Sequence, residues 1–107
     1  MNEWTVIVHR AAEAELLQLP ADLRARFLRI AEMLEDVGPQ RVGLPHVRPL
    51  THKLWEMRMR GRDGIARAIY IAMEGKRLLV LHAFMKKTQA TPRSALDIAM
   101  NRLELYR

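Results

Sequence analysis

The stretch KLWEMRMRGRDGIARAIYIAMEGKRLLVLHAFM, Lys53–Met85, decides the fold. Apolar and polar residues alternate from Lys53 to Arg60, β-branched and aromatic residues crowd Ile65 to Met73, and Leu78 to Met85 is an almost unbroken apolar run. Each segment has the length and composition of a strand. Gly61-Arg62-Asp63-Gly64 and Glu74-Gly75-Lys76-Arg77, which separate them, have the chemistry of tight turns. Three strands joined by two short turns make an antiparallel meander.

The turns also set the register. With Gly61–Gly64 as the first loop, Arg60 lies opposite Ile65, Arg58 opposite Arg67, Glu56 opposite Ile69 and Leu54 opposite Ile71. With the second turn centred on Gly75-Lys76, Met73 lies opposite Leu78, Ile69 opposite His82, Arg67 opposite Phe84 and Ile65 opposite Lys86. One face of the sheet then collects Glu56, Arg58, Arg60, Arg67, His82, Phe84 and Lys86, with Leu54, Ile71 and Val80 at its apolar end. The other face presents Trp55, Met57, Ala68, Tyr70, Leu79 and Leu81 to the helices. A one-residue bulge would shift this count. Directly opposed like charges are destabilising, so Arg58 beside Arg67 calls for Glu56 or a bound anion between them.

The flanking segments supply what covers this sheet. Trp4–Arg10 alternates and is β-branched, a strand with Trp4, Val6 and Val8 on one face. Ala11–Leu19 is rich in helix formers and is interrupted by Pro20. A second helix starts between Pro20 and Asp22 and runs to Val37, with Leu23, Phe27, Ile30, Ala31 and Leu34 on its buried stripe and Gly38-Pro39 ending it. The short join makes these two an antiparallel hairpin. Pro39–Thr51, with its prolines and the basic Arg41 and Arg48, reads as a loop with extended backbone, either a flexible substrate-facing loop or a simple crossover connection. Thr91-Pro92 opens a last helix, the threonine hydroxyl serving as its cap, and Leu96, Ala99, Met100, Leu103 and Tyr106 form its buried stripe. The whole is one α+β domain over residues 1–107.

At 107 residues, half of them apolar and 28% charged, the chain suits a single globular core. No apolar run approaches the roughly 20 residues of a membrane span, Met1–Arg10 lacks signal-peptide order, and the absence of cysteine fits a cytosolic protein. The net charge of +6 is unevenly placed. Residues 1–40 hold four basic and seven acidic residues, residues 41–93 twelve basic and three acidic, and residues 94–107 two of each. A basic mid-chain suits a polyanion, because neutralised phosphates release their counterions. It also suits solubility alone or an acidic protein partner.

There is no P-loop, GxGxxG or HExxH, and His9, His46, His52 and His82 are scattered, which speaks against a metal site. The charged sheet face does offer a metal-free way to cleave RNA. The 2′-hydroxyl is an internal nucleophile, so the protein needs a proton acceptor, cations for the developing phosphorane charge and a donor to the leaving oxygen. Glu56 or His82 can accept the proton, Arg58, Arg67 and Lys86 can stabilise the charge, and Phe84 can stack a splayed base. Arg60, Lys53 and Lys87 extend the basic surface for substrate. Each also has a plain reading: Glu56 as an ion-pair partner, His82 as a strand histidine, Phe84 as core, and Lys86-Lys87 as a solvated strand end.

Three segments resemble a known family: K-L-W-E-M-R at Lys53–Arg58, R-A-I-Y at Arg67–Tyr70 and H-A-F-M-K-K-T-Q-A-T-P at His82–Pro92. With the order strand, helical hairpin, meander, last helix, they are similar to the RelE/ParE superfamily of toxin–antitoxin toxins, on the side of its phage-derived HigB-like branch. The resemblance covers nearly the whole chain, and F-x-K-K-T-x-x-T-P after an L-W-E-x-R strand is its specific part. It implies a twisted, mostly antiparallel sheet with the helical hairpin on one side. It also implies an mRNA endoribonuclease acting in the ribosomal A site without metal or cofactor. Such a toxin is neutralised in a heteromeric complex with an antitoxin that usually carries a helix-turn-helix domain. On the matching positions Arg58, Arg67 and Lys86 are the phosphate-stabilising residues and Glu56 or His82 the base. The tyrosine that some members use near the C-terminus has no clear counterpart other than Tyr106, which the helical stripe assigns to the core. The ParE side of the superfamily shares the fold but binds DNA gyrase without nuclease chemistry, and a plain basic nucleic-acid-binding module is a third reading.

Overall fold

A computed structural model describes residues 3–87 and 90–106, so Thr88 and Gln89 of the Phe84–Pro92 motif lie outside the described residues. The meander forms as its sequence dictates. Strands β3 (Leu54–Gly61), β4 (Gly64–Met73) and β5 (Arg77–Met85) pair antiparallel, and Arg62-Asp63 is a two-residue turn between the paired Gly61 and Gly64. Strand β1 (Thr5–Val8) adds in parallel to β5, from Thr5 opposite Arg77 to Val8 opposite Val80. Its Trp4, Val6 and Val8 face the helical hairpin as expected.

The hairpin is α1 (Arg10–Leu17) and α2 (Ala21–Val37). The imidazole of His9 caps α1 by accepting from the Ala11 N–H at 3.0 Å. Gly38 ends α2 with φ +86°, and a Cβ there would sit 2.7 Å from Trp4 Nε1, so glycine is needed both for conformation and for space. Gly61 answers a similar demand at the other end of the sheet, where a Cβ would collide with Asp22 of α2. That close approach lets Asp22 Oδ2 accept from the Arg62 N–H at 2.6 Å, tying the β3–β4 turn to the first turn of α2.

The region Pro39–Thr51 is more structured than its prolines suggest. Pro39–Val42 is a short helix, α3, and Val47–Pro49 is a strand, β2, paired antiparallel with Trp55–Met57. Two of its three prolines sit where the missing N–H costs nothing, Pro39 in a first helical turn and Pro49 on an edge strand. What the sequence hid was Val47, which is fully buried and anchors the edge strand in the core. The result is a five-stranded mixed sheet in the order β1-β5-β4-β3-β2, within the expected α+β class but with one strand more than the sequence announces.

The register agrees with expectation at the charged end and departs from it at the apolar end. Arg58 opposes Arg67, Arg67 opposes Phe84 and Ile69 opposes His82. Nearer the second turn Met73 opposes Arg77 rather than Leu78, because the turn is one residue shorter than its glycine-centred count implies. A bulge after Ile69, where Leu81 has no partner on β4, restores the count before the charged residues are reached. The bulge also reverses the expected facing of three residues. Val80 packs with α1 and α2, while Leu79 and Leu81 pack with the last helix, α4 (Arg93–Tyr106).

Two apolar layers therefore sandwich the sheet. Met57, Met59, Ala68, Tyr70, Leu78 and Val80 meet Leu16, Leu23, Phe27, Ile30 and Leu34 of the hairpin. Leu54, Ile69, Ile71, Leu79 and Leu81 meet Ala95, Ala99 and Leu103 of α4. Each fully buried large side chain contributes on the order of 1.5–3 kcal/mol. Two expectations for α4 fail. Tyr106 is 44% exposed rather than core, since the stripe runs out at Leu103, and its ring lies 6.3 Å from that of His9. The Thr91 hydroxyl does not cap the helix; the Pro92 carbonyl accepts from Ala95 N instead, and the hydroxyl turns to Glu56.

Candidate active site

Strand pairing alone sets two arginines against each other. Arg58 on β3 lies opposite Arg67 on β4, with Phe84 of β5 on the far side of Arg67. Strand β2 stops pairing at Val47 opposite Met57, so the outer edge of β3 is uncovered beyond that point except where the Arg58 N–H donates to the His46 carbonyl at 2.7 Å. A cleft of about 380 Å³ opens there, lined by Arg26, Pro45, His46, Arg58, Arg60 and Arg67. Among the described residues four guanidinium groups and no carboxylate line it.

A buried carboxylate stands against Arg67 of this lining. Glu56 is fully buried; its Oε1 accepts from Arg48 Nε at 2.7 Å and stands 3.4 Å from Arg67 Nε, and its Oε2 accepts the Thr91 hydroxyl at 2.5 Å. Both oxygens thus face protein groups. Arg67 is only 3% exposed, and its Nη1 donates to the Ala66 carbonyl at 3.3 Å. Burial holds its pKa below the ordinary arginine range; Glu56 opposes this, while Arg58, Arg48 and Arg60 add to it. The Nε atoms of Arg58 and Arg67 are buried without a hydrogen bond among the described residues, the 3.4 Å approach to Glu56 being an ionic contact that lacks hydrogen-bond geometry. Buried donors of fixed positive charge, held side by side, favour an anion.

Lys86 stands at the end of β5, where its N–H continues the ladder to the Ile65 carbonyl at 2.7 Å. Slight burial and then the charges of Arg67 and Arg58 hold its ammonium below the ordinary lysine range, so it shares the field of the cleft. Arg60 is exposed on the cleft wall and Lys87 is exposed beyond the strand end. Lys53 is exposed with φ +66° in the turn that enters β3, at the opposite end of that strand from Arg60.

His82 belongs to a different cluster. It is 7% exposed, stacks on Phe84 with ring centroids 5.0 Å apart, and its Nδ1 lies 3.0 and 3.1 Å from the two oxygens of Glu15 on α1. An ionised carboxylate only accepts, so Nδ1 is the donor. Arg102 of α4 forks onto the same carboxylate at 2.8 and 3.0 Å and also donates to the Leu81 carbonyl at 2.9 Å, while the Ala83 N–H donates to Glu15 Oε1 at 3.1 Å. These bonds close the edge of β5 beyond the last β1 pair, Val8 with Val80. Burial pushes the Glu15 carboxyl up, but the hydrogen bonds from Arg102, Ala83 and His82 outweigh it and hold the group below the usual carboxylate range.

The structure thus brings Arg58, Arg60 and Arg67 together at one cleft, sets Glu56 against Arg67 and Lys86 within the field of the cleft, and assigns His82 to the lock between α1 and α4. Four residues were not legible as site residues. Arg26 reads as the solvated face of a helix, His46 and Arg48 fall in a proline-rich segment without periodicity, and Thr91 reads as a cap. Among the described residues no group of three or more His, Cys, Asp or Glu is placed to hold a metal ion.

Comparison with known proteins places this geometry. A double arginine-to-alanine mutant of the Escherichia coli toxin RelE in the free state superposes with a TM-score of 0.69 at 13% identity, over 96% of this chain and 99% of that one. The archaeal RelE–RelB complex from Pyrococcus horikoshii matches with a TM-score of 0.56 at 25% identity, over 82% of this chain and 99% of that one. The intact E. coli RelBE toxin–antitoxin complex matches with a TM-score of 0.52 at 16% identity, over 79% and 99%. No curated protein matches in sequence. The model of the family described as phage-derived protein Gp49-like matches residues 14–104. The chain is therefore a member of the phage-derived Gp49-like family, built on the fold of the RelE toxins.

Proposed function

We propose that this chain is the toxin of a type II toxin–antitoxin pair and a metal-independent endoribonuclease that cleaves messages in the ribosomal A site. The observation that carries the reading is the cleft itself. Arg58 and Arg67 are opposed and, among the described residues, their Nε atoms are buried without hydrogen bonds and the lining has no carboxylate. A phosphodiester answers that imbalance better than any group of the protein does.

In this reading the 2′-oxygen attacks the adjacent phosphorus, and Arg58, Arg67 and Lys86 carry the charge that develops on the phosphorane oxygens. Arg60 and Lys87 hold flanking phosphates, Phe84 stacks a base, and Lys53 meets a more distant part of the message. Glu56 acts on Arg67 and Arg48 rather than on the substrate, fixing where the cleft arginines stand. His82 holds β5 through Glu15. The partner is a cognate antitoxin with a helix-turn-helix domain, in keeping with the RelE–RelB and RelBE complexes among the similar structures.

Arg67→Ala tests the reading. It is expected to lower cleavage of translated message by about 100-fold or more and to relieve growth arrest, with Arg58→Ala as the less buried second variant and thermal unfolding as the check on fold. Purified protein that inhibits DNA gyrase supercoiling and leaves translated message intact would show the nuclease reading to be wrong and favour the ParE-like one.

A further inference from the structure

A nuclease needs a proton acceptor at the reacting hydroxyl, and neither acidic nor imidazole candidate on the sheet face is free to be one. Both oxygens of the buried Glu56 are engaged by Arg48, Arg67 and Thr91, and His82 is locked to Glu15 and stacked on Phe84. The remaining histidines divide by position. His9 caps α1 through its ring nitrogen, and His52 is exposed in the turn between β2 and β3, away from the cleft end of the strand.

His46 is the histidine that lines the arginine cleft. It is partly buried, it follows Pro45, and its backbone is pinned on both sides: its N–H donates to the Gly43 carbonyl at 3.1 Å and its carbonyl accepts from Arg58 N at 2.7 Å. Its ring makes no hydrogen bond to a described residue. The side chains around it are Arg26 from α2, Arg58 and Arg60 from β3, and Arg67 from β4, together with the apolar Pro45. Guanidinium groups stay protonated and only donate, so His46 is the one lining side chain, among the described residues, that can accept a proton.

We infer that His46 is the general base of this site and that Arg26 adds a fourth cation to it, so the active site is completed by α2 and by the segment before β2. The inference rests on the nuclease reading. As the 2′-oxygen–phosphorus bond forms, the hydroxyl proton passes to the His46 imidazole; the bond from phosphorus to the 5′-oxygen breaks, and that oxygen takes a proton from water. The products are a 2′,3′-cyclic phosphate and a 5′-hydroxyl. The four arginines hold the phosphate while the imidazole, fixed through the backbone of Arg58, meets the sugar.

The test is cleavage of translated message by wild type, His46→Ala and His46→Gln, with Arg67→Ala alongside. Both His46 variants are expected to lose about 100-fold or more in rate while their thermal unfolding stays that of wild type. Added imidazole should restore part of the His46→Ala rate. The wild-type pH–rate profile should show an acid limb that is missing from the residual activity of His46→Gln. If Arg67→Ala is inactive and the His46 variants cleave at close to the wild-type rate, the inference fails and the nuclease reading stands. If both His46 variants are inactive but imidazole restores nothing and the pH limb is unchanged, His46 is structural and the inference again fails. A wild-type protein that cuts no message overturns both.

Discussion

Two carboxylates, the half-buried Glu15 and the fully buried Glu56, stand at opposite flanks of the same sheet and do opposite things with their cations. Glu15 meets one fully forked guanidinium and one imidazole, and every partner is directed at it. Glu56 meets Arg48 and Arg67, while Arg58 and Arg60 line the cleft nearby without an ion pair to a carboxylate among the described residues. The first cluster is closed and holds α1, β5 and α4 together. The second is left with uncompensated positive charge next to an open cleft. Ion pairs of similar chemistry therefore close the fold in one place and leave excess positive charge at an open cleft in the other, and the difference lies in charge balance and access.

Removing Glu56 should have the largest effect. Glu56→Ala leaves Arg67 buried with no counter-charge, and we expect a loss of about 3–5 kcal/mol of stability in denaturant unfolding. If the cleft binds phosphate, inorganic phosphate should raise the melting temperature of this variant by more than it raises that of wild type. An equal rise in both would mean that the anion is held elsewhere.

Glu15→Gln probes the closed cluster, with an expected loss of about 2 kcal/mol at neutral pH because its partners are partly solvated. The pH dependence has a definite sign. Because the folded carboxyl lies below its ordinary value of 4.5, its contribution is complete above that value and is lost as pH falls through the lower folded one. Wild type should therefore destabilise in acid through this window, and Glu15→Gln should show a shallower slope there. Identical acid limbs for the two proteins would remove Glu15 from the account.

The smallest effect is at the apolar wall between the clusters. The Tyr70 hydroxyl on β4 is buried with no hydrogen-bond partner among the described residues, and burial raises its pKa. Tyr70→Phe removes a desolvated donor while keeping the ring stacked on Trp55, so it should stabilise by about 1 kcal/mol. A destabilised variant would show that the hydroxyl is satisfied after all.

The meander was legible because alternation and turn residues act locally, and the pairings of Arg58 with Arg67 and Arg67 with Phe84 follow from counting out of the turns. The count at β5 survived only because a shorter turn and the bulge after Ile69 offset each other. The same bulge sent Val80 to the hairpin and Leu79 and Leu81 to α4. Strand β2 was hidden because a three-residue edge strand carrying a proline has no pattern of its own, and it exists only through pairing with β3 and the burial of Val47.

By itself, then, the sequence determined the meander, the helical hairpin and the last helix, the positive middle of the chain and which arginines share a sheet face, since these depend on composition and spacing within one element or across one short turn. Tertiary structure alone decided which polar groups are already engaged. Glu15 reaches His82 from α1, Thr91 reaches Glu56, and Arg26 and His46 come round to the cleft from α2 and the segment before β2. Those meetings join residues far apart in the chain, where no local periodicity exists to announce them.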